Sequence, residues 1–310
     1  MLSRHALLSL LPLLALSSAT LTKRDSWGPS LGLGPAAYTI LTTSTTLYPG
    51  AAPADQAGLL WVWLGISNGT GDLIQSIVGS TPPGQSECGN VPNADNTWCI
   101  TSEVYGNGPA GTPNQWVGDL KTVDTAFENG IVFNYTLVDR ASWTWNQTMR
   151  DAKTGALLAT FAKASGPMLG WGTAIECNEG CTGTVSEQIY QDSKIVLEQA
   201  DPNFVNTLGV SQGTTHSDMV TTDGGKTWTI EKINIPAMNA GGAKAVVSGA
   251  AAAGAVINTT AAPAVVQSTV TTSATSSTLV TSVVTSSATK SVKSTSSRRG
   301  RKHHTKTASP

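Results

Sequence analysis

The feature that most constrains this chain is a rhythm of short strand-like segments and no convincing amphipathic helix. Segments 37–47, 59–66, 72–78, 98–105, 130–138, 142–151, 156–164, 185–191 and 226–235 are rich in Val, Ile, Thr, Tyr and Trp. Gly, Pro, Asn and Asp punctuate them, and Asp223-Gly224-Gly225 is a turn signal directly before one. Such spacing predicts an all-β fold, an antiparallel two-sheet jelly-roll sandwich. One domain is expected over 25–238, and at roughly 210 residues it is large enough to bury a sizeable core.

The flanking composition differs. Residues 1–19 read as a secretory signal peptide: Arg4 and His5 precede an apolar run too short to span a bilayer, and Ser17-Ser18-Ala19 supplies small residues for cleavage. Lys23-Arg24 is a dibasic processing signal, which makes 20–24 a short pro-segment and places the mature start near Asp25. From 239 the chain turns Ala/Gly-rich, then Ser/Thr-rich, and ends in a basic run. A tract of that composition buries too little apolar surface to offset its ordering entropy, so 239–310 is expected to be a disordered, O-glycosylated tail. Its basic end is unlike the hydrophobic tail of a lipid-anchor signal. Attraction of that end to anionic wall polymers is the one partner it implies.

Four cysteines, Cys88, Cys99, Cys177 and Cys181, read in a secreted chain as two disulfides. Pairing within each close pair and pairing across the two loops both remain open, and neither spacing is that of a metal site. Asn68, Asn134, Asn146 and Asn258 head N-x-T sequons. Charged residues make up 13% of the chain with net charge −1, which leaves no basic patch over the folded part for nucleic acid. Sparse carboxylates also favour acid tolerance, since few must be protonated as pH falls. A secreted monomer without a membrane span or cofactor is expected.

Chemistry is constrained by the histidines. Only His216 lies away from the ends, where His5, His303 and His304 sit. A zinc site of two or three histidines cannot be assembled, and any Ser-His-Asp or Cys-His arrangement would have to use His216, which reads as a loop residue. The remaining candidates are carboxylates and amides. Gln75 ends the segment 59–75 (LLWVWLGISNGTGDLIQ), and Glu187 lies within 183–191 (GTVSEQIYQ). Strand alternation puts Gln75 on the face of Leu73 and Ile77 and Glu187 on the face of Ile189, so both are expected to point into one concave sheet surface.

Several motifs, taken in order, resemble the eqolisins, the secreted fungal glutamic endopeptidases. Ser26-Trp27-Gly28 is similar to the family's N-W-A-G opening, and Trp63-Leu64-Gly65-Ile66 to its W-V-G-I strand. Asp72-Leu73-Ile74-Gln75 resembles the segment that ends in the catalytic glutamine. Thr101-Ser102-Glu103-Val104-Tyr105 stands where the family has W-Y-E-W-Y, and 129–155 resembles the strand pair closed by an N-x-x-T-G-Q hairpin. Ser186-Glu187-Gln188-Ile189-Tyr190 is similar to A-E-W-I-V, with Ser102, Val104 and Gln188 in place of aromatic residues. The resemblance spans about 26–208. It implies a concanavalin-like sandwich and an acid endopeptidase acting on polypeptides, with Glu187 and Gln75 catalytic and Glu103 and Trp63 supporting.

The chemistry is reasonable without the family. A carboxylate takes a proton from water as the water attacks an amide carbon, and a side-chain amide N–H donates to the oxyanion that develops. A base working at acid pH needs hydrogen bonds to its carboxylate. Two other readings stay open. One is a carbohydrate-binding or carbohydrate-active jelly roll of the fungal surface, in which carboxylates flank a glycosidic bond or tryptophans stack on sugars. The other is an inactive eqolisin-like scaffold, or one turned to small-molecule chemistry. Most of the nine tryptophans are expected in the core, and Asp223–Trp228 is expected to be a structural hairpin.

Overall fold

The computed structural model describes residues 26–239, apart from 55, 83–87, 89–96, 108–110, 125–127, 179 and 212. The segments expected as signal peptide and pro-segment, the expected tail beyond Asn239, and Asn258 therefore lie outside the described residues. The strands are β1 (Ser26–Leu33), β2 (Ile40–Tyr48), β3 (Leu59–Ser67), β4 (Leu73–Ser80), β5 (Thr97–Asn107) and β6 (Pro113–Asp124). There follow β7 (Ile131–Asp139), β8 (Thr144–Asp151), β9 (Leu157–Ala164), β10 (Gly170–Asn178), β11 (Thr184–Val185) and β12 (Gln188–Leu197). The last are β13 (Gly209–Ser211), β14 (Thr215–His216), β15 (Met219–Val220), β16 (Thr227–Ile235) and β17 (Met238–Asn239). A 3-10 turn, Phe204–Thr207, lies between β12 and β13.

Two antiparallel sheets form the sandwich expected from the sequence. The first runs in the order β13-β1-β10-β3-β4-β5-β6, and the second β14-β16-β12-β2-β7-β8-β9, with β15 also on β16. Alternation builds the core. Leu60, Val62, Leu64 and Ile66 of β3 join Ile74 and Val78 of β4 and Trp98, Ile100 and Val104 of β5 in one buried cluster with Phe133, Tyr135, Trp145 and Tyr190 of the second sheet. The intervening residues of β3, β4 and β5 face the other way, on the outer face of the first sheet. Five of the nine tryptophans are buried, namely Trp63, Trp98, Trp145, Trp171 and Trp228.

Three long strands escape the sequence reading. β1 carries Pro29 and a register shift between Trp27 and Ser30, and the edge strand β6 starts at Pro113 and carries Gly118. β10 is glycine-rich but central, between β1 and β3. β12 also runs past its expected end at 191. A bulge there shifts its register against β2, with Asp192 at φ 53, and returns the core face to Ser193, Ile195 and Leu197.

Both close cysteine pairs are bonded, Cys88 to Cys99 and Cys177 to Cys181. Asn134 and Asn146 are half-buried strand residues of the second sheet, and Asn68 lies in the β3–β4 turn. There the Asn68 Oδ1 accepts the Thr70 and Asp72 amides, and Gly69 and Gly71 take the positive φ that the turn requires. The Asp223–Trp228 segment is a hairpin turn: the Asp223 carboxylate accepts the Thr227 amide, and the interaction holds its pKa down at about 2. His216 is exposed.

Candidate functional site

On the outer face of the first sheet, register brings together residues that are distant in sequence. Gln75 stands opposite Gly65 on one side and Glu103 on the other. The Gln75 amide Nε2 donates to Glu103 Oε2 at 3.4 Å, and the Gln115 amide on β6 donates to the same oxygen. Gln75 is 9% exposed and Glu103 only 1%, whereas Gln115 is exposed. Two carboxamides thus bracket one buried carboxylate, an arrangement that charge-assisted hydrogen bonds favour.

The same rung continues across the sheet as glycine. Gly65 pairs Gly172, which pairs Gly32. Three adjacent strands thus lack Cβ atoms on this rung, but Gly65 and Gly172 are buried, and side-chain atoms of Leu73 and Trp63 lie 2.8 and 3.4 Å from where a Gly65 Cβ would stand. Trp63, one rung away, is 3% exposed and makes a small outer-face cluster with Ile77 and Ala174, against which Trp27 and Trp61 pack. Trp27 and Trp63 meet edge-to-face at 6.0 Å between ring centroids.

The strands that carry this face are held from below. The Tyr135 hydroxyl donates to the main-chain oxygen of Leu64 at 2.7 Å, and the Thr173 hydroxyl donates to that of Trp63 at 2.7 Å. The Gln147 amide donates to the main-chain oxygen of Glu103 at 3.0 Å. Burial pushes the Tyr135 and Tyr190 hydroxyls far above the ordinary phenol range, so both remain neutral donors.

Glu187 stands apart in the topology, and among the hydrogen bonds of the described residues none joins it to Gln75. Glu187 is exposed and lies between β11 and β12, outside both sheets. The neighbouring Ser186 hydroxyl donates to Ala51 O, and Trp98 donates its indole N–H to Gly50 O, so this segment sits by the Trp98 end of the sandwich. Trp98 is five residues from Glu103 on β5, about 17 Å along the strand, and its side chain belongs to the core. Alternation orients a side chain relative to its own strand; it does not say which sheet the strand joins. β12 joins the second sheet, and Ile189 points away from its core.

The structure adds a residue that the sequence reading overlooked. Glu176 on β10 stands between Trp27 and Trp61 in the register. Asn178 Nδ2 donates to Glu176 Oε1 at 3.1 Å, and its Oδ1 accepts the Trp61 indole N–H at 2.5 Å. The alternation Trp171, Thr173, Ile175, Cys177 was the available signal for this strand, and it would have placed Glu176 on the outer face. A separate cleft of about 190 Å³ lies by Asp72, Trp116 and Lys163, on the face of β5 that carries Val104 rather than Glu103. Among the described residues no group of His, Cys, Asp and Glu is arranged to hold a metal ion, and no helix is long and apolar enough to cross a membrane.

No family model and no curated protein matches the chain. Solved structures that it resembles include scytalidoglutamic peptidase with a peptide-based transition-state analogue, at 16% identity, 68% coverage of this chain, 99% of that one and TM-score 0.41. The same peptidase with a transition-state analogue inhibitor gives 16%, 68%, 99% and 0.39. SCP-B, a member of the eqolisin family of peptidases in a complex with the tripeptide Ala-Ile-His, gives 16%, 68%, 99% and 0.36. The chain is thus similar to eqolisin structures at low sequence identity.

Proposed function

We propose that this chain is a secreted acid endopeptidase whose working pair is Glu103 and Gln75. The observation that carries the reading is the contact between the Gln75 amide and the Glu103 carboxylate on the outer sheet face, on the rung of Gly65, Gly172 and Gly32. An extended polypeptide reaches this rung once the Leu73 and Trp63 side chains over Gly65 move aside, because backbone can approach backbone where Cβ atoms are missing. Glu103 takes a proton from the water that attacks the scissile carbonyl carbon. Gln75 has two amide hydrogens; one faces Glu103, and the other serves the oxyanion. The protonated Glu103 then returns its proton to the leaving amine, which restores the pair. Trp63 and Leu73 border the glycine rung on which the polypeptide is placed.

The test is cleavage of denatured casein by purified protein from about pH 2 to 7, beside Glu103→Gln and Gln75→Ala. Each substitution should lower kcat/KM by roughly a hundredfold or more, the usual worth of a general base or an oxyanion donor. Cleavage that survives Glu103→Gln removes the mechanism.

A second reading has its own observation. Trp27 and Trp61 are half-buried beside the Glu176–Asn178 pair, and aromatic faces next to planar polar groups are what sugar rings pack against. Absence of cleavage at every pH, together with binding to β-glucan or chitin that is lost in Trp61→Ala, selects a carbohydrate-binding wall protein. Absence of both selects a scaffold without peptidase chemistry.

A further inference from the structure

We propose that Gln147 is a positioning residue for the Glu103 carboxylate, acting through the sandwich core from the opposite sheet. The inference rests on the Gln75–Glu103 reading given above. Gln147 belongs to β8 and is 0% exposed, and its Nε2 donates to the Glu103 main-chain oxygen at 3.0 Å. That bond falls where the β5–β6 ladder slips: Thr101 pairs Leu120 but Glu103 pairs Val117, so two residues of β6 face one of β5. A bulge disrupts ladder pairing locally and re-aims a side chain. The Gln147 amide fixes the β5 backbone at that place.

Two neighbours complete the arrangement. Tyr135 pairs Gln147 across β7 and β8, and its hydroxyl reaches Leu64 O on β3. One rung of the second sheet therefore holds β3 and β5, the two strands that flank Gln75. Gln147 Oε1 is buried and has no hydrogen-bond partner. An unpaired buried acceptor is destabilising, and a methionine of similar shape would avoid it. The glutamine is thus explained by its donor, which is spent on the backbone of the residue proposed as base.

The experiment compares Gln147→Met, which removes the donor at similar volume, with Gln147→Glu, which keeps it only while protonated. Burial disfavours the charged form of a carboxyl group, so Gln147→Glu donates at acid pH. In casein cleavage, Gln147→Met should lose about tenfold or more in kcat with KM within about twofold, because alignment and not binding is impaired. Gln147→Glu should retain wild-type kcat at low pH and fall toward the Gln147→Met value as pH rises, a fall in its ratio to wild-type kcat at the same pH that Gln147→Met does not show. Equal kcat in Gln147→Met and wild type overturns the inference, as does a Gln147→Glu variant no better than Gln147→Met at any pH. The side-chain amide resonances of Gln75, read by NMR on the same proteins, do not require turnover. They should shift in Gln147→Met and hold in Gln147→Glu at low pH. Unmoved resonances in Gln147→Met overturn the inference even if the wild type cleaves nothing, so its failure and that of the peptidase reading are separable.

Discussion

Tyr135→Phe removes one oxygen atom from the middle of the sandwich and tests whether the sheets are tied at the candidate site. The hydroxyl is fully buried and donates at 2.7 Å to Leu64 O, next to the Gly65 that faces Gln75. Deleting it removes a hydrogen bond whose net worth is about 0.5–1.5 kcal/mol. Leu64 lies within the β3 ladder, paired with Ser76 and Thr173. A carbonyl has two lone pairs, so the full penalty of an unsatisfied buried group should not apply. No ring volume is lost, so there is little cavity term. The expected destabilisation is about 1 kcal/mol, or roughly 2–4 °C for a domain of this size. Urea unfolding measures it as a lower midpoint with unchanged slope. Tyr105→Phe is the control, because the Tyr105 ring lies on the outer face and no hydrogen bond of its hydroxyl contributes to the core. If the two variants unfold at the same urea concentration, the Tyr135–Leu64 tie contributes nothing and the account of how β3 is held is wrong.

Trp171 crosses the sandwich from β10 and donates its indole N–H to Thr43 Oγ1 at 2.9 Å with 1% exposure, so Trp171→Ala should cost about 3–5 kcal/mol in the same assay; a loss below about 1 kcal/mol would contradict its place in the core. Three carboxylates are held below their usual range: Asp223 at about 2, first by the Thr227 amide; Asp151, first by the Asn129 side chain; and Asp139, first by the Ser142 hydroxyl. Each pKa is lower in the folded chain than the ordinary value near 3.9, so each contribution is present above about pH 4 and is lost as pH falls, for Asp223 through about 2. Urea midpoints should therefore hold down to about pH 4 and decline below it, and Asp223→Asn should flatten that decline; a midpoint constant down to about pH 2 would refute the linkage.

How much was legible in the sequence follows from what is local. Period-two alternation in Leu60, Val62, Leu64 and Ile66 is a property of one segment, and it located β3 correctly. The same holds for β2, β4, β5, β7, β8, β9 and β16. Glycine and proline hid β1, β6 and β10, because these residues weaken strand signals while tertiary pairing keeps the strands in place. Register is not local. That Gln75 and Glu103, 28 residues apart, share a rung depends on how β4 meets β5. Glu187 shows the converse. Its segment alternates properly, yet Gln188 and Tyr190 bury into the second sheet, away from the face that carries Gln75. Glu103 is therefore the carboxylate in contact with that glutamine.

Glu103→Gln and Glu187→Gln, assayed side by side for casein cleavage at the acid optimum of the wild type, decide between the two carboxylates. Glu103→Gln should lose roughly a hundredfold or more in kcat/KM, as expected of a missing general base. Glu187→Gln should stay within about twofold of wild type, as expected of an exposed loop residue away from the chemistry. The reverse result, with Glu187→Gln inactive and Glu103→Gln active, would contradict the site described here.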